Sequence, residues 1–387
     1  MKKVVMFYEG RLFPNCGGTA RVVEDMARYF RARPDVWLKL VVLDGRMTEE
    51  DLEKCRAISH EFVRLAPAVR FSPTGILNGL VHRFGADVHA AYFRARALRS
   101  EMSALCADAD LVLVNFAVWY SILPREVRRK KAIVITHDVL FQRRTSFSGT
   151  RGFWRRVANV WGRRLEVAVL KSFRTIAVFA EYEKNLLVRA GIDPGQVVCM
   201  GLPIVCAKSV GTVQKAYDFL IVGANCLQNE EAVAVFFARV VPLLGARPVS
   251  LAVVGTVGES SVWKSLSVPP NVSVARLGRV DDLARVCQSA RIGVSTPPHG
   301  SGIKVKTVEC IEYGLPMIVT DCGAEGVPVT EKGAVNIDRV SSDVCAQRIA
   351  AWLDDPASAA EDGRQQAEKV REAFSPSRLE NLLPQVW

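Results

Sequence analysis

Two neighbouring stretches decide the fold class: HGSGIKVKTVE, residues 299–309, and GLPMIVTD, residues 314–321. The first follows an apolar run at residues 291–295, and its spacing predicts a helix that begins near Ser301. A strand, a glycine-containing loop, a helix and a further strand in this order are typical of a parallel α/β sheet. Small residues at such a helix start let backbone N–H groups approach a phosphate, and the helix dipole adds about half a positive charge there.

Three charged residues extend this pattern along the predicted helix. Lys304 and Lys306 supply full positive charges, and Glu309 can accept hydrogen bonds from sugar hydroxyls. One segment therefore combines a clamp for a diphosphate with an acceptor for hydroxyls, as a nucleotide-sugar requires. The simpler interpretation is a turn and a helix cap, because glycine and proline before a helix commonly mean no more than that.

The composition is that of a globular protein, with 387 residues of which 49% are hydrophobic and 24% charged. This length suggests two domains, each with its own core. Ten cysteines are scattered without a C-x-x-C pair, which favours reduced core residues over a zinc site or a disulfide framework. No cluster has metal-ligand spacing and no P-loop is present, so we expect no metal and no bound cofactor.

Positive charge is concentrated in the first half of the chain. Residues 1–210 carry 34 Lys and Arg against 20 Asp and Glu, whereas residues 211–387 carry 17 against 20. Residues 125–174 alone hold 14 basic and 3 acidic residues. This asymmetry predicts that the N-terminal half faces an anionic partner.

Apolar strand-like runs alternate with helical segments in two successive series. The first series has runs at residues 4–8, 38–43, 111–114, 132–136, 175–179 and 197–200, and the second at 219–222, 250–254, 272–275, 292–295 and 317–320. Continuous apolar strands separated by helices predict parallel sheets covered on both faces. We therefore predict two Rossmann-like domains, residues 1–205 and 206–370. Residues 371–387 are predicted to form a terminal helix that returns to the N-terminal domain.

Two features of the N-terminal half fall at predicted strand ends, where ligands of α/β domains bind. Gly17 and Gly18 follow the first strand and allow close approach of a ligand, although a tight strand–helix turn explains them equally well. His137 ends another strand, where its imidazole could hydrogen-bond a reacting hydroxyl with a protonation state tunable near neutral pH. The alternative is a histidine satisfied by neighbouring backbone.

A basic helix is predicted around residues 153–165, with an apolar face that includes Trp154 and Trp161. Its usual role would be to pack that face on the sheet and leave the arginines in water. The sharper hypothesis is attachment to an anionic membrane surface. The residues predicted to contact acceptor or membrane are Trp119, Tyr120, Trp154, Arg155, Arg156, Arg163 and Arg164.

The predicted location is cytoplasmic, with peripheral attachment to the inner face of the membrane. The apolar run at the N-terminus is too short for a signal peptide. The longest apolar stretch, residues 111–123, contains Asn115 and Ser121 and is too polar and too short to cross a bilayer. Nucleic acid is not expected as a partner, because the sequence holds no RNA- or DNA-binding signature.

The order of these motifs resembles GT-B glycosyltransferases of the group 1, or family 4, type over nearly the whole chain. The resemblance is carried by Gly17-Gly18, His137-Asp138, Val222-Gly223, Val254-Gly255, residues 277–280, residues 300–309 and Gly314-Leu315-Pro316. It implies an α/β GT-B fold, in which two Rossmann-like domains with parallel sheets face a central cleft. It also implies a donor in the C-terminal domain and an acceptor in the N-terminal one, with retention and without a metal.

The resemblance also assigns roles to individual residues. It implies that Glu309 holds the ribose hydroxyls, that Lys304 and Lys306 neutralise the diphosphate, and that His137 lies near the transferred sugar. The catalytic residues would then be His137 and Lys306. The donor-binding residues would be Gly17, Gly18, Gly278, Arg279, Val280, Gly300, Ser301, Gly302, Ile303, Lys304, Lys306 and Glu309.

Two positions depart from the family pattern. Many members carry a glutamate eight positions before the ribose-binding one, where this chain has Ser301, and many carry an Arg and a Lys in the loop that here spans residues 223–229 without a positive charge. The expected function is transfer of a sugar from a UDP- or GDP-sugar to a glycan or lipid-linked acceptor in cell-surface polysaccharide biosynthesis. The alternatives are a nucleotide-sugar epimerase of similar form and a non-catalytic basic protein that binds membrane or nucleic acid.

Overall fold

The computed structural model describes residues 1–13, 17–44, 47–65, 99–142, 153–204 and 213–382. The chain divides into two compact units, unit 1 with Met1–Val205 and Ser375–Trp387, and unit 2 with Cys206–Phe374. The C-terminal segment joins unit 1 through Glu380, whose Oε1 accepts from the Tyr29 hydroxyl at 2.8 Å and from Arg33 at 3.2 Å. In place of the predicted terminal α-helix, Pro376–Asn381 forms a 3-10 helix.

Unit 1 is built on a parallel sheet of apolar strands. The strands are β1 (Lys2–Glu9), β2 (Val36–Leu43), β3 (Glu61–Leu65), β4 (Leu111–Asn115), β5 (Ala132–Ile135), β6 (Thr175–Val178) and β7 (Val197–Cys199). Their order across the sheet is β3-β2-β1-β4-β5-β6-β7. Every residue of β4 and β5 is buried, as expected of strands covered on both faces.

Helices of unit 1 connect these strands and pack their apolar residues on the sheet. They are α1 (Gly18–Ala32), α2 (Glu49–Ala57), α3 (Arg99–Cys106), α4 (Arg125–Lys130), α5 (Phe153–Leu170) and α6 (Glu181–Arg189). In α1, Val23, Met26 and Phe30 follow one another at helical spacing and are buried, which fixes this helix against the sheet.

Unit 2 repeats the same plan with a second parallel sheet. Its strands are β8 (Tyr217–Val222), β9 (Val249–Val254), β10 (Val272–Gly278), β11 (Ala290–Ser295), β12 (Met317–Val319) and β13 (Ala334–Asn336), in the order β10-β9-β8-β11-β12-β13. Its helices are α7 (Leu227–Arg239), α8 (Val262–Ser265), α9 (Leu283–Ser289), α10 (Val305–Glu312), α11 (Ser342–Asp354) and α12 (Pro356–Ala373). The two parallel sheets with their helices confirm the predicted α/β class and the pair of Rossmann-like domains.

The strand order reverses direction once in each sheet, and this positions the sites described below. In unit 1 the reversal lies between β1 and β4, and in unit 2 it lies between β8 and β11. The loops that leave neighbouring strands diverge at such a point, and the crevice at the carboxyl ends of the strands receives ligands in open α/β sheets. The loop after β4 and the glycine loop after β11 both start there.

Candidate functional site

The glycine loop of unit 2 connects β11 to α10. Gly300 and Gly302 both adopt positive φ angles, 150° and 73°. A Cβ atom at Gly300 would lie 2.0 Å from Gln228 Nε2, so a side chain at this position would displace the Gln228 amide, and the positive φ would add strain. The helix begins at Val305, four residues later than the sequence predicted, with Lys304 as its N-cap.

Two side chains of α7 hold this loop in place. Gln228 donates from Nε2 to the carbonyl oxygen of His299 at 2.9 Å, and His299 Nε2 lies 2.9 Å from a carboxylate oxygen of Glu231. The loop is therefore fixed to the first turns of the helix that follows β8. The sequence analysis missed both side chains because their partner lies about 70 residues away in the chain.

Lys306 lies in the first turn of α10, with its ammonium enclosed by protein. The ammonium donates to Asn229 Oδ1, and Asn229 Nδ2 donates in turn to the carbonyl oxygen of Ala224 at 2.8 Å. Burial, as the largest cause, lowers the pKa of Lys306 to about 8, and the positive charge of Lys304 acts in the same direction. Lys306 is thus a cation at the helix start that is held by a neutral partner.

Lys304 is turned towards the glycine loop that precedes it, and its predicted role in binding a diphosphate stays a prediction. Its ammonium donates to the carbonyl oxygens of Ser301 at 3.1 Å and Gly302 at 2.7 Å, and lies 3.8 Å from a carboxylate oxygen of Glu325. The side chain is 7% exposed. In this structure Lys304 stabilises the glycine loop from within, and Lys306 is the lysine of the pair that does not bind the loop's own carbonyls.

Glu309 stands one turn further along α10 and is partly exposed, whereas Glu312 in the same helix is buried. The exposed position is compatible with an acceptor for ribose hydroxyls, and this role stays a prediction. Ile303 is buried and Ser301 is partly buried, so both contribute mainly to the packing and backbone path of the loop.

Gly278, Arg279 and Val280 lie at the carboxyl end of β10, on the same edge of the sheet as the glycine loop. Gly278 has a φ of 63°, and its carbonyl oxygen accepts from the N–H of Gly255 at 2.6 Å. The ends of β8 and β9 are joined by a similar hydrogen bond, in which the N–H of Gly223 donates to the carbonyl oxygen of Val254 at 2.9 Å. The structure therefore brings the predicted donor-binding residues of unit 2 to one edge of one sheet.

In unit 1, Gly17 and Gly18 start α1 directly after the strand β1 and its loop. Gly17 is exposed, and a Cβ atom placed on it would have no neighbour within 4 Å among the described residues. Packing therefore gives no reason for a glycine there, and room for a ligand remains the predicted reason. Gly17 and Gly18 are predicted to bind the donor, which stays a prediction.

His137 follows β5 with a φ of 54°, an unusual backbone angle for a non-glycine residue. The residue is 8% exposed, and its Nε2 lies 2.7 Å from Asn115 Oδ1. Burial lowers the pKa of His137 to about 3, so the imidazole is neutral throughout the physiological range. The expectation that its protonation is tunable near neutral pH is wrong, because burial removes the solvation that stabilises the imidazolium.

Trp119 is part of the core of unit 1, and the prediction that it contacts acceptor or membrane is wrong. It lies in the 3-10 helix Ala117–Ser121, is 0% exposed, and packs on Phe7 with ring centroids 5.1 Å apart. Tyr120 is partly buried beneath the guanidinium of Arg128, which lies 4.3 Å from its ring centroid. A strand end followed by aromatic residues is equally typical of a core turn, so the sequence could not separate the two roles.

The basic helix is α5, and its predicted apolar face does not pack on the sheet at Trp161. This side chain is 56% exposed and its neighbour Val160 is 55% exposed, while Arg163 and Arg164 are exposed beside them. The helix instead buries Val167, Val169 and Leu170 near its end. Trp154, Arg155 and Arg156 belong to the same helix, but their side chains lie outside the described residues.

Residues 216–355 match the family model described as Glycosyl transferases group 1. These residues lie within the second unit, which is therefore similar to group 1 glycosyltransferase domains. The prediction that the chain is a glycosyltransferase is confirmed through this domain, which contains the glycine loop, α10 and the strand ends of unit 2. A comparison with curated proteins finds no match.

Solved structures of glycosyltransferases share the fold of the whole chain. TarM of S. aureus, in complex with Fondaparinux, alpha-GlcNAc-glycerol and UDP, has a TM-score of 0.73 at 10% identity and covers 100% of both chains. Sucrose-phosphate synthase from Thermosynechococcus elongatus has a TM-score of 0.68 at 14% identity, with 100% of this chain and 99% of its own covered. HepE of Anabaena with UDP and glucose has 0.64 at 14%, with 99% and 100% covered.

The described part of the chain was searched for a metal site and for a membrane-spanning helix. Within the described ranges, no group of three or more His, Cys, Asp or Glu residues could hold a metal ion. No helix in the described part of the chain is long and apolar enough to cross a bilayer.

Proposed function

We propose that this chain transfers a sugar from a nucleotide-sugar to a hydroxyl of a glycan or lipid-linked acceptor. The proposal includes retention of the anomeric configuration, no requirement for a metal, and a role in cell-surface polysaccharide biosynthesis. It also includes membership of the family 4 type. A UDP-sugar is the first donor to test, because TarM and HepE, two proteins of the same fold, were crystallised with UDP.

The main support for the proposal is the position of Lys306. Its ammonium is enclosed at the first turn of α10, and the glycine loop before that helix starts where the strand order of the unit 2 sheet reverses. Its ammonium donates to the neutral amide of Asn229, and a charged phosphate oxygen can replace this amide oxygen with a gain in Coulomb energy. The positive end of the α10 dipole adds to this attraction.

The proposed chemistry uses this charge when the nucleoside diphosphate leaves. Negative charge grows on the diphosphate as the bond to the sugar breaks, and a fixed ammonium and helix dipole stabilise that state more than the ground state. Following the family resemblance, the acceptor hydroxyl attacks from the face that the diphosphate leaves, and a phosphate oxygen takes its proton. In this proposal, Lys306 supplies the positive charge that an Arg and a Lys supply in many members of the family that the chain resembles.

A membrane surface is the proposed site of the acceptor. Trp161 and Val160 are exposed apolar side chains on α5, and Arg163 and Arg164 flank them on the same helix. Tryptophan favours the headgroup region of a bilayer, and each basic residue near an anionic surface contributes about 1 kcal/mol. This combination supports reversible attachment of unit 1 to a membrane that holds a lipid-linked acceptor.

A thermal-shift screen with UDP-, GDP-, ADP- and CMP-sugars tests the proposal, because a ligand that binds the folded chain raises its unfolding temperature. We expect one nucleotide class to stabilise the wild-type chain and to lose most of that effect in Lys306→Met. Lys332→Met is the matched control, since Lys332 is an exposed lysine of the same unit. If no nucleotide-sugar stabilises the wild type, or if both variants respond equally, the proposed donor site is wrong.

The product distinguishes transfer from epimerisation. We expect the bound nucleotide-sugar to release its free nucleoside diphosphate when a lipid-linked or glycan acceptor is added. Conversion to an isomeric nucleotide-sugar in the absence of an acceptor would instead identify an epimerase.

A further inference from the structure

A cavity of about 340 Å³ lies at the amino edge of the unit 1 sheet, at the starts of β1, β2 and β3. Ligands of α/β domains usually bind at the opposite, carboxyl edge. The strand β1 ends at Glu9, and strands rise about 3.3 Å per residue, so about 20 Å of strand separate Lys3 from the carboxyl edge. The cavity is therefore distinct from the strand-end sites described above. Its lining includes Lys3, Val5, Trp37, Lys39, Glu61 and Asp108.

The pairing of the strands places most of this lining on one face of the sheet. Lys3 lies opposite Trp37, and Lys39 lies between Val5 of β1 and Glu61 of β3. Residues at one level of parallel strands point to the same face, and the next residue but one in each strand follows on that face. Further along β1 and β2 the same face is buried apolar core. The cavity therefore lies where this face changes from apolar to charged.

Trp37 supplies a flat apolar wall of the cavity. Its ring stacks on the imidazole of His60, with ring centroids 5.0 Å apart and the ring planes at 24°. His60 is itself held in place, because the N–H of Leu38 donates to its Nδ1 at 3.0 Å. Trp37 is nevertheless 36% exposed, whereas tryptophan is highly buried on average. The indole is thus a positioned ring with accessible surface.

Two ion pairs lie in the same lining as this ring. Lys3 Nζ lies 2.6 Å from Asp108 Oδ2, and Lys39 Nζ lies 3.2 Å from Glu61 Oε1. The side chains of Asp108 and Glu61 are 54% and 44% exposed, so their carboxylates can accept further hydrogen bonds. The charges of these four side chains cancel. The cavity therefore offers hydrogen-bonding groups without a net attraction to an anion or a cation.

We propose that this cavity binds a pyranose unit of an uncharged glycan, stacked on Trp37 and hydrogen-bonded through its hydroxyls to Glu61 and Asp108. One face of a pyranose carries C–H groups that can cover an indole, and the hydroxyls around its rim both donate and accept. The volume lies at the lower end of the range of about 300–1,000 Å³ for small-molecule sites, which suits one or two sugar units. Partly exposed ion pairs contribute little to stability, so they can exchange water for hydroxyls at little cost.

The proposal rests on the proposed transferase function for the class of its ligand. In a protein that extends a glycan, a second contact about 20 Å from the carboxyl edge of unit 1 holds a long acceptor between two transfers. Such a contact raises the effective concentration of the acceptor end without any new contact at the reacting atoms. The cavity is then a secondary glycan site, and it favours long acceptors over short ones.

NMR of the tryptophan indole N–H groups in the whole chain tests this site directly. The Trp37 signal is assigned by its loss in Trp37→Phe. The probes are the methyl glycosides of glucose, galactose, mannose, rhamnose and N-acetylglucosamine, added singly. We expect at least one glycoside to shift the Trp37 signal along a saturable curve, and inorganic phosphate, choline and adenosine to leave it unchanged. If no glycoside shifts the signal, or if phosphate, choline or adenosine shifts it instead, the proposal is overturned.

A matched pair of variants tests the hydrogen bonds to the sugar. Glu61→Ala removes a carboxylate of the cavity, and we expect it to weaken glycoside binding about tenfold, because a hydrogen bond to a charged group is lost. Glu50→Ala removes a glutamate from another exposed ion pair of unit 1, the pair with Lys54, and should bind as the wild type does. Equal affinity in the two variants would exclude Glu61 as a sugar contact and overturn the proposed binding mode. Saturation-transfer NMR on the glycoside protons makes this comparison without any assignment, and so serves if Trp37→Phe does not fold.

These titrations use no nucleotide-sugar and no turnover, so they fail separately from the transferase proposal. A chain that binds a glycoside at Trp37 and responds to no nucleotide-sugar keeps the secondary site and loses the proposed activity. A chain that is stabilised by a nucleotide-sugar through Lys306, and whose Trp37 signal no glycoside shifts, keeps the donor site and loses the secondary glycan site.

Discussion

Lys306 of α10 donates from its ammonium to the side-chain oxygen of Asn229, a residue of α7. The two helices follow β11 and β8, the neighbouring strands at which the unit 2 sheet reverses. This hydrogen bond of the enclosed Lys306 ammonium therefore links the starts of α10 and α7, next to the two loops that would contact a diphosphate. A small cavity of about 10 Å³ beside the pair has room for one water at most, so a phosphate can take the place of the amide only when Asn229 turns away.

Replacing Lys306 tests the value of this cation. A hydrogen bond to a charged group is worth about 1.5–3 kcal/mol. We therefore expect Lys306→Met to weaken nucleotide binding about ten- to a hundredfold in calorimetry, and to lower kcat/KM by at least as much. Lys332→Met should leave both quantities unchanged. Wild-type affinity in Lys306→Met would mean that the diphosphate binds elsewhere.

Nucleotide affinity should fall as the pH rises above about 8. The pKa of Lys306 is lowered to about 8 in the free protein, and an anion favours the charged form, so binding must take up a proton at higher pH. Each pH unit above this value should cost up to about tenfold in affinity. Calorimetry from pH 7 to pH 9.5 measures the nucleotide affinity of the wild type and of Lys306→Met. The difference between the two pH profiles isolates the contribution of Lys306, because the titration of the nucleotide itself is common to both. Parallel profiles would contradict the assignment.

The sequence predicted most strands correctly because most are continuous apolar runs. The sequence did not predict β3 and β13, because neither is a continuous apolar run. The strand β3 contains Glu61 and Arg64, and β13 has only two apolar residues, Ala334 and Val335, before Asn336. The helix α12 was also not predicted, although Asp355 caps it by accepting hydrogen bonds from the N–H groups of Ala357 and Ser358.

The candidate site was predictable only as far as it is local in sequence. The spacing of Gly300, Gly302 and Lys306 indicated a phosphate-binding helix start. The partners that define their chemistry come from distant segments: Asn229 for Lys306, Gln228 for the loop, and Asn115 for His137. The sequence also assigned the same role to Lys304 and Lys306, because the spacing of the two lysines does not reveal that Lys304 donates to carbonyl oxygens of its own loop.

An alanine at Gly300 should release the glycine loop from α7. A Cβ atom there would meet the side-chain nitrogen of Gln228, and the positive φ adds strain. We expect Gly300→Ala to weaken nucleotide binding at least tenfold, because the loop amides lose their position. Gly314→Ala is the matched control: it has a φ of 78° and open space within 4 Å in the described structure. We expect Gly314→Ala to lower the unfolding temperature and to leave nucleotide affinity near the wild-type value. If Gly300→Ala and Gly314→Ala lose the same affinity, the proposed role of the loop is wrong.

Attachment to anionic vesicles should depend on α5. We expect Arg163→Gln combined with Arg164→Gln to weaken binding to phosphatidylserine vesicles by about 2 kcal/mol, which is about thirtyfold. Trp161→Ala should weaken it further by removing an interfacial aromatic ring. Arg56→Gln combined with Arg189→Gln removes the same charge from other exposed positions of unit 1 and serves as the control. Equal sedimentation of the two double variants would show that only net charge matters.

His137 should contribute to loss of stability in acid. Its pKa is lowered to about 3 in the folded chain from an ordinary value of 6.5, so between these values the unfolded chain binds a proton that the folded chain does not. The free energy of unfolding must therefore fall as the pH decreases from 6.5 towards 3. His137→Gln has no such titration, and its urea midpoint should fall less than that of the wild type between pH 7 and pH 4.5. If the two midpoints decline in parallel, His137 is protonated in the folded chain at pH 4.5 and is not held neutral by burial.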